Sequence, residues 1–150
     1  MIHLETITPE NWRLDLSVRD DQRAFVTDRA EVLARAYAYR EHRSQAFVIY
    51  NDDLPVGMAM YKDLDEFKAF HLSQFFIDQR YQGKGFGYEA AAKILQMMKD
   101  DGKYNKVVLC YIEGDDAARN LYEKLGFRHT GVVEGNEIIM ELKLTDPDLH

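Results

Sequence analysis

The stretch Arg80-Tyr81-Gln82-Gly83-Lys84-Gly85-Phe86-Gly87 places three glycines in five residues directly ahead of an amphipathic run. Glycine lacks the Cβ atom that keeps a backbone away from a ligand, and consecutive N–H groups freed of it can converge on an anion. The run that follows, with Tyr88, Ala91, Ala92, Leu95 and Met98 on one side, brings the positive end of a helix to the same place. Together these features describe a pyrophosphate site. A plain strand-to-helix turn has the same composition, and the loop alone leaves both readings open. A magnesium-nucleotide loop is excluded, because its Gly-Lys must be followed by Ser or Thr and Lys84 is followed by Gly85. Gly85, Gly87 and Ala90 match the G-x-G-x-x-A dinucleotide spacing, but that fold needs parallel strands with crossover helices, and here hairpin-length connections precede the loop.

Outward from the loop, a strand over Phe70 to Asp78 leads into it. Before that, AFVIY, a turn at Asn51-Asp52-Asp53 and PVGMAMYK read as an antiparallel hairpin. The chain opens with a strand, Ile2 to Ile7. Thr8-Pro9-Glu10 then predicts a helix from Pro9, with Thr as cap and Pro in the first turn. Asp28 to Tyr39 is a second helix, with Val32, Leu33, Ala36 and Tyr37 on one face. Downstream come a strand Lys106 to Glu113, a helix Asp115 to Leu125 with Ala118, Leu121, Tyr122 and Leu125 at helical spacing, and strands His129 to Val133 and Ile138 to Leu144. The order is β α α β β β α β α β β. No linker, repeat or low-complexity tract interrupts it, so residues 1–150 read as a single domain, with Thr145 to His150 as a loose tail. Trp12, Tyr37 and Tyr39 fall on the early helices, where aromatic spacing predicts core packing.

At 150 residues, 46% hydrophobic and 30% charged, the chain is long enough for one substantial core. Its net charge of −7 and its pI near 5.2 argue against nucleic acid and favour a cationic small molecule. There is no run of about 20 apolar residues to enter a membrane and no signal-like start, so the expected location is cytoplasmic. Cys110 alone builds no disulfide framework or zinc cluster, and the five histidines are scattered, so no metal is expected. In an apolar strand, Cys110 reads as a buried thiol.

Arg80-x-x-Gly83-x-Gly85, between a strand and a helix, resembles the acyl-CoA pyrophosphate loop of the GNAT acetyltransferase superfamily. About 30 residues on, DDAARNLYEKLGF (Asp115 to Phe127) resembles that superfamily's second signature helix, Asn-x-x-Ala-x-x-Leu-Tyr-x-x-x-Gly-Phe. The element order is also similar. FFIDQRYQGKGFG, with DLSVRDDQRAFV and LARAYAY nearer the start, looks like the bacterial spermine/spermidine acetyltransferases. The resemblance implies an α/β fold whose mixed, mostly antiparallel sheet of about seven strands carries flanking helices and a central parallel pair that splays. It also implies acetyl-CoA as co-substrate, a small-molecule amine as acceptor and a homodimer.

Carried onto this chain, the resemblance puts the pyrophosphate on the amides of Gln82, Gly83, Lys84, Gly85, Phe86, Gly87 and Tyr88. The backbone of Phe75, Phe76 and Ile77 lines the pantetheine arm, and Asp115 and Ala118 belong to the cofactor helix. Tyr122, in the Leu-Tyr position, is the candidate proton donor to the leaving thiolate, and a core tyrosine is its plain structural alternative. Two departures stand out. Ser73 replaces the Glu that known polyamine acetyltransferases carry just before Phe-Phe, leaving Asp78, Glu113 or a water relay as proton acceptor. Asp115 replaces the signature Asn, and helix capping alone explains it. Among the acidic residues Asp15, Asp20, Asp21, Asp28 and Glu31 that border the acceptor groove in this family, Asp15, between Leu14 and Leu16, is singled out as a substrate contact. Lys84 and Lys124 are within the region that meets cofactor phosphates. A polyamine is the leading acceptor. A protein N-terminus, lysine or aminoglycoside, or an acyl-CoA-binding module without turnover, are the alternatives.

Overall fold

The computed structural model describes residues 1–25 and 28–145. Seven strands form one sheet: β1 (Ile2–Thr6), β2 (Gln45–Asn51), β3 (Leu54–Leu64), β4 (Ala69–Ile77), β5 (Lys106–Ile112), β6 (Arg128–Glu134) and β7 (Glu137–Lys143), in the order β1-β2-β3-β4-β5-β7-β6. Neighbours are antiparallel except β4 and β5. That parallel pair needs a crossover, and the helix α2 (Phe86–Asp101) supplies it. Among the described residues the remaining α-helices are α1 (Arg29–Ala38) and α3 (Asp116–Lys124). Apart from the helix expected from Pro9, expected and observed ends agree to within two residues. Of the expected tail, residues 146–150 lie outside the described part.

Each face of the sheet carries its own core. On one, Phe47, Ile49, Tyr61, Phe70 and Leu72 meet Ala90, Ala91, Ile94, Leu95 and Met98 of α2. Burying side chains such as Ile94, Leu95 and Met98 stabilises the fold by roughly 1.5–3 kcal/mol apiece before entropy is counted. Tyr88 is exposed and off that stripe, which runs through 90/91, 94/95 and 98. On the other face, Val48, Met58, Met60 and Phe76 meet Val32 of α1 together with Leu16 and Val18.

The helix expected from Pro9 does not form. Thr8 Oγ1 accepts from the amides of Glu10 and Asn11, as a cap should, but Asn11 turns its amide group back onto the Thr8 N–H (2.7 Å) and the Thr6 carbonyl (2.9 Å). The single turn closes on itself. Among the described residues from Leu14 onward there is only a 3₁₀ turn, Asp20–Gln22, before Asp28 caps α1 by accepting the Glu31 N–H at 2.8 Å. The aromatic expectation fails as well. Trp12, Tyr37 and Tyr39 are exposed, each under a cation: Arg13 at 5.1 Å, Arg40 at 4.2 Å and Lys62 at 4.5 Å from the ring centre.

Register shifts occur between β2 and β3, at Ile49/Tyr50, and at two further places that shape the rest. In β4, Met60 faces Gln74 while Tyr61 faces Leu72, so Ser73 is the extra residue of a bulge. At the far rim, pairing of β6 with β7 breaks between His129 and Val133. There Gly131 has φ +88°, and Thr130 Oγ1 accepts the Val132 N–H at 3.1 Å and donates to the Ile139 carbonyl at 3.3 Å.

Candidate active site

The bulge at Ser73 resets which face each following side chain takes. Without it, Phe76 would continue the row of Phe70 and Leu72. With it, Phe75 and Ile77 join that face and Phe76 crosses to the α1 side. Just before this point β4 leaves β5: the only parallel pairs are Phe70 with Val107 and His71 with Val108. Beyond them the strands diverge, and a cleft of about 470 Å³ opens, lined by Phe75, Phe76, Ile77, the glycine turn and the first turns of α3.

At the floor of the cleft the chain runs through Gly83 (φ +78°) and Gly85 (φ +84°) into α2. The first intrahelical bond is from Glu89 N–H to the Gly85 carbonyl at 3.2 Å, so the amides of Phe86, Gly87 and Tyr88 have no intrahelical acceptor. A Cβ built on Gly83 or Gly85 would meet nothing within 4 Å, so both left-handed residues border open space. A cradle of free amides at a helix N-terminus suits a phosphate anion. Gln82, Gly83, Gly85, Phe86 and Gly87 line the cleft. Lys84 and Tyr88 do not line it and are exposed, with Lys124 Nζ 6.0 Å from the Tyr88 ring centre. The Arg-x-x-Gly-x-Gly spacing read from Arg80 recurs at Gln82, Gly85 and Gly87, and this second frame meets the helix start. Arg80 itself is spent on Asp78.

Helix α3 forms the opposite wall. Asp115 caps it, accepting the Ala118 N–H at 3.2 Å, and Asp115, Ala118, Leu121 and Tyr122 all face the cleft. Burial raises the Asp115 pKa, against the pull of the Ala118 amide. Tyr122 is buried, with its ring edge-on to Phe127 at 5.8 Å. Its phenol is pushed up by burial, then by the Asp115 charge and Cys110, so it keeps its proton at neutral pH. A phenol in that state can give a proton but not take one.

Other candidates take other places. Asp78, considered as proton acceptor, is buried and accepts four hydrogen bonds, from the Ser17 amide (2.8 Å), the Arg80 amide (2.9 Å) and the Arg80 guanidinium (2.8 and 3.3 Å). Burial alone would raise its pKa, but these donors outweigh burial and hold it below the ordinary value. Such a carboxylate is a poor base. Glu113 is exposed. Asp15 is exposed outside both this cleft and the groove described next, its carbonyl accepting from Arg80 at 2.8 Å. Ser73 Oγ lies 3.2 Å from His71 Nδ1, and burial, followed by Lys62 and Arg35, lowers the His71 pKa to about 4. Cys110 is half-buried, and burial followed by the Glu137 and Glu134 charges raises its thiol to about 11.

A second groove, of about 500 Å³, shares the wall residues Val18 and Phe76 with the first. Phe25 and Ile112 give it apolar sides, and Arg23, Asp28 and Glu31 give it charge. Asp28 and Glu31 carry the carboxylates. Arg23 pairs with Asp20 at 3.1 Å, whereas Glu31 meets Arg35 only at 3.8 Å. Neither Phe25 nor Gln22, which lines the first cleft, stood out in the sequence, because both lie on a segment held by long-range bonds without periodicity.

The sequence model of the Acetyltransferase (GNAT) family matches residues 8–127. The chain is a GNAT acetyltransferase. As such it is an N-acetyltransferase that takes its acetyl group from acetyl-CoA. The spermine/spermidine N(1)-acetyltransferase of Bacillus subtilis is 29% identical to this GNAT acetyltransferase over 143 residues, covering 90% of this chain and 93% of the relative. A spermidine N-acetyltransferase from Vibrio cholerae, solved with CoA and spermine, shares the fold with a TM-score of 0.74 at 16% identity over 95% of each chain. An aminoglycoside acetyltransferase bound to coenzyme A superposes with a TM-score of 0.79 at 14% identity, again over 95% of each. The expected seven-stranded mixed sheet with one parallel pair is the sheet of this GNAT acetyltransferase.

Proposed function

We propose that this enzyme acetylates a polyamine, spermidine or spermine, by direct attack of the amine on acetyl-CoA with both substrates bound. The observation that carries the reading is the pairing of two grooves across one wall. One is built around an anion cradle and the other around two carboxylates, and Val18 and Phe76 divide them.

The donor supplies an acetyl group activated as a thioester. The residues present fit it: the amides from Gln82 to Tyr88 take the diphosphate, the backbone of Phe75 to Ile77 runs beside the arm, and an amide of that strand stabilises charge growing on the carbonyl oxygen. Tyr122 gives its proton to the departing thiolate. Asp115 and Ala118 hold the start of α3, and Lys84 and Lys124 supply positive charge at the phosphate end.

A primary amine with a pKa near 10.4 is neutral in about one molecule in 10³ at pH 7, so the attacking nitrogen must lose a proton first. With Asp78 occupied by its four donors, that proton leaves to water in the open second groove. Asp28 and Glu31 hold the distant ammonium of the polyamine there, the role expected of Asp15. The B. subtilis relative, covered almost end to end, supports this acceptor class. The acidic balance and the family resemblance support a cytoplasmic homodimer that engages neither nucleic acid nor membrane.

The test is release of free thiol from acetyl-CoA with spermine, spermidine, a diamine, a monoamine and a lysine peptide, repeated on the double variant Asp28→Asn, Glu31→Gln. The expected result is preference for the polyamines and a KM for spermidine raised about tenfold or more in the variant, with the monoamine little changed. Equal turnover of all five amines by the native enzyme would reject the polyamine assignment.

A further inference from the structure

We propose that Asp78 is a positioning residue that ties the acceptor-side segment Asp15 to Gln22 to the donor turn, so that filling the turn orders the wall of the acceptor groove. The inference rests on the proposed donor site and adds a connection between it and the second groove. At the end of β4, Asp78 anchors its own amide on the Val56 carbonyl at 2.7 Å. Its carboxylate reaches one way to the Ser17 amide and the other way to Arg80, at the entry to the glycine turn. Arg80 returns to the Asp15 carbonyl at 2.8 Å, and the Gln79 amide donates to the Ser17 carbonyl at 2.8 Å.

A second tie lies one turn further on. The side-chain amide of Gln82 donates to the Ile77 carbonyl and to Gln22 Oε1, both at 2.9 Å, and the Gln22 amide donates back to Gln82 Oε1 at 3.2 Å. Gln82 thus belongs at once to the phosphate turn and to a pair with the acceptor-side segment.

That segment contains only one 3₁₀ turn, so its position is set by these bonds and by Leu16 and Val18 packing against the α1-side core. Val18 is also part of the wall between the two grooves. A ligand that fixes the Gln82 to Tyr88 backbone therefore fixes Gln22 and Ser17 as well, and an acceptor arriving second meets a wall already ordered. Asp63 provides the comparison. It is equally buried and clamped by Arg43 and Lys103, but neither of these partners lines a groove, whereas Ser17, held by Asp78, lines the second.

Amide hydrogen exchange with coenzyme A as the added probe reads the connection without any choice of amine. In the native enzyme, saturating coenzyme A is expected to slow exchange about tenfold or more at Gln82 to Tyr88 and also at Ser17 to Gln22. Asp78→Asn, which removes the charge that holds Arg80, should keep the first protection and lose the second. Gln22→Leu, a milder change made on the surface side of the tie, should reduce the second and spare the fold. Asp63→Asn should lower the melting temperature while leaving both protections in place. Protection confined to Gln82 to Tyr88 in the native enzyme, or undiminished protection of Ser17 to Gln22 in both Asp78→Asn and Gln22→Leu, would overturn the connection and leave the donor site standing. No protection at Gln82 to Tyr88 in the native enzyme would overturn both.

Discussion

Replacing Gly85 by alanine separates the phosphate role of the turn from its role as a connector. Gly85 has φ +84° and ψ 0°, a conformation that costs an L-residue roughly 1–2 kcal/mol. Its Cβ would meet nothing within 4 Å, so no overlap adds to that strain. Part of the strain is offset because alanine also loses freedom in the unfolded chain, which leaves a net destabilisation of about 1 kcal/mol. For a domain of this size that lowers Tm by roughly 2–4 °C and leaves it folded at room temperature. Gly85 lines the cleft, so the new methyl group projects into open space at the turn proposed to hold the diphosphate. Loss of even part of that contact predicts coenzyme A binding weakened at least tenfold, about 1.4 kcal/mol. Gly87→Ala is the matched control for stability. Gly87 is helical, and its Cβ would make ordinary contacts with Ile77 (3.5 Å), Leu121 (3.8 Å) and Phe75 (3.8 Å), so Tm should hold or rise. Calorimetric titration with coenzyme A and a thermal melt on each variant decide the matter. A Gly85→Ala protein with lowered Tm and a Kd within twofold of native would refute the phosphate assignment.

Tyr122→Phe keeps the ring against Phe127 and removes only the hydroxyl, so kcat should fall about 10²-fold or more while coenzyme A affinity changes less than threefold; unchanged kcat would return Tyr122 to a packing role. His71 gives a pH dependence. Its pKa is near 4 in the fold against 6.5 when free, so folding favours the neutral ring, and that stability is complete above pH 6.5 and lost as pH falls toward 4. Between pH 7 and pH 5 the loss is about 2 kcal/mol, and urea unfolding of His71→Gln should lack that part of the decline.

Local signals carried most of the architecture. The glycine turn, the apolar stripe of α3 and the alternation in β2 and β3 are short-range patterns, and each formed close to its expected span. What stayed hidden depends on partners distant in the chain. The Thr8-Pro9-Glu10 start looks like a helix, and only the return of Asn11 to Thr6 and Thr8 shows why it stops after one turn. Asp78 looks like any carboxylate at a strand end until Ser17, 61 positions away, donates to it. The bulge at Ser73 leaves no mark in composition, yet it decides that Phe75 packs on the α2 side and Phe76 on the α1 side. No sequence pattern ranks the proposed contacts Asp28 and Glu31 above Asp15, because only three-dimensional placement puts the first two on the second groove and leaves the third outside it.

The break in β6 has a consequence for how these molecules can meet. An outermost strand with a regular ladder offers a template on which another chain can grow the sheet. Here the middle of that rim is bowed by Gly131, and the Val132 donor is already satisfied within its own strand by Thr130. The rim is blunted. Two copies approaching from this side must join through side chains such as the exposed Val132 and Val133, not by zipping backbones into a longer sheet.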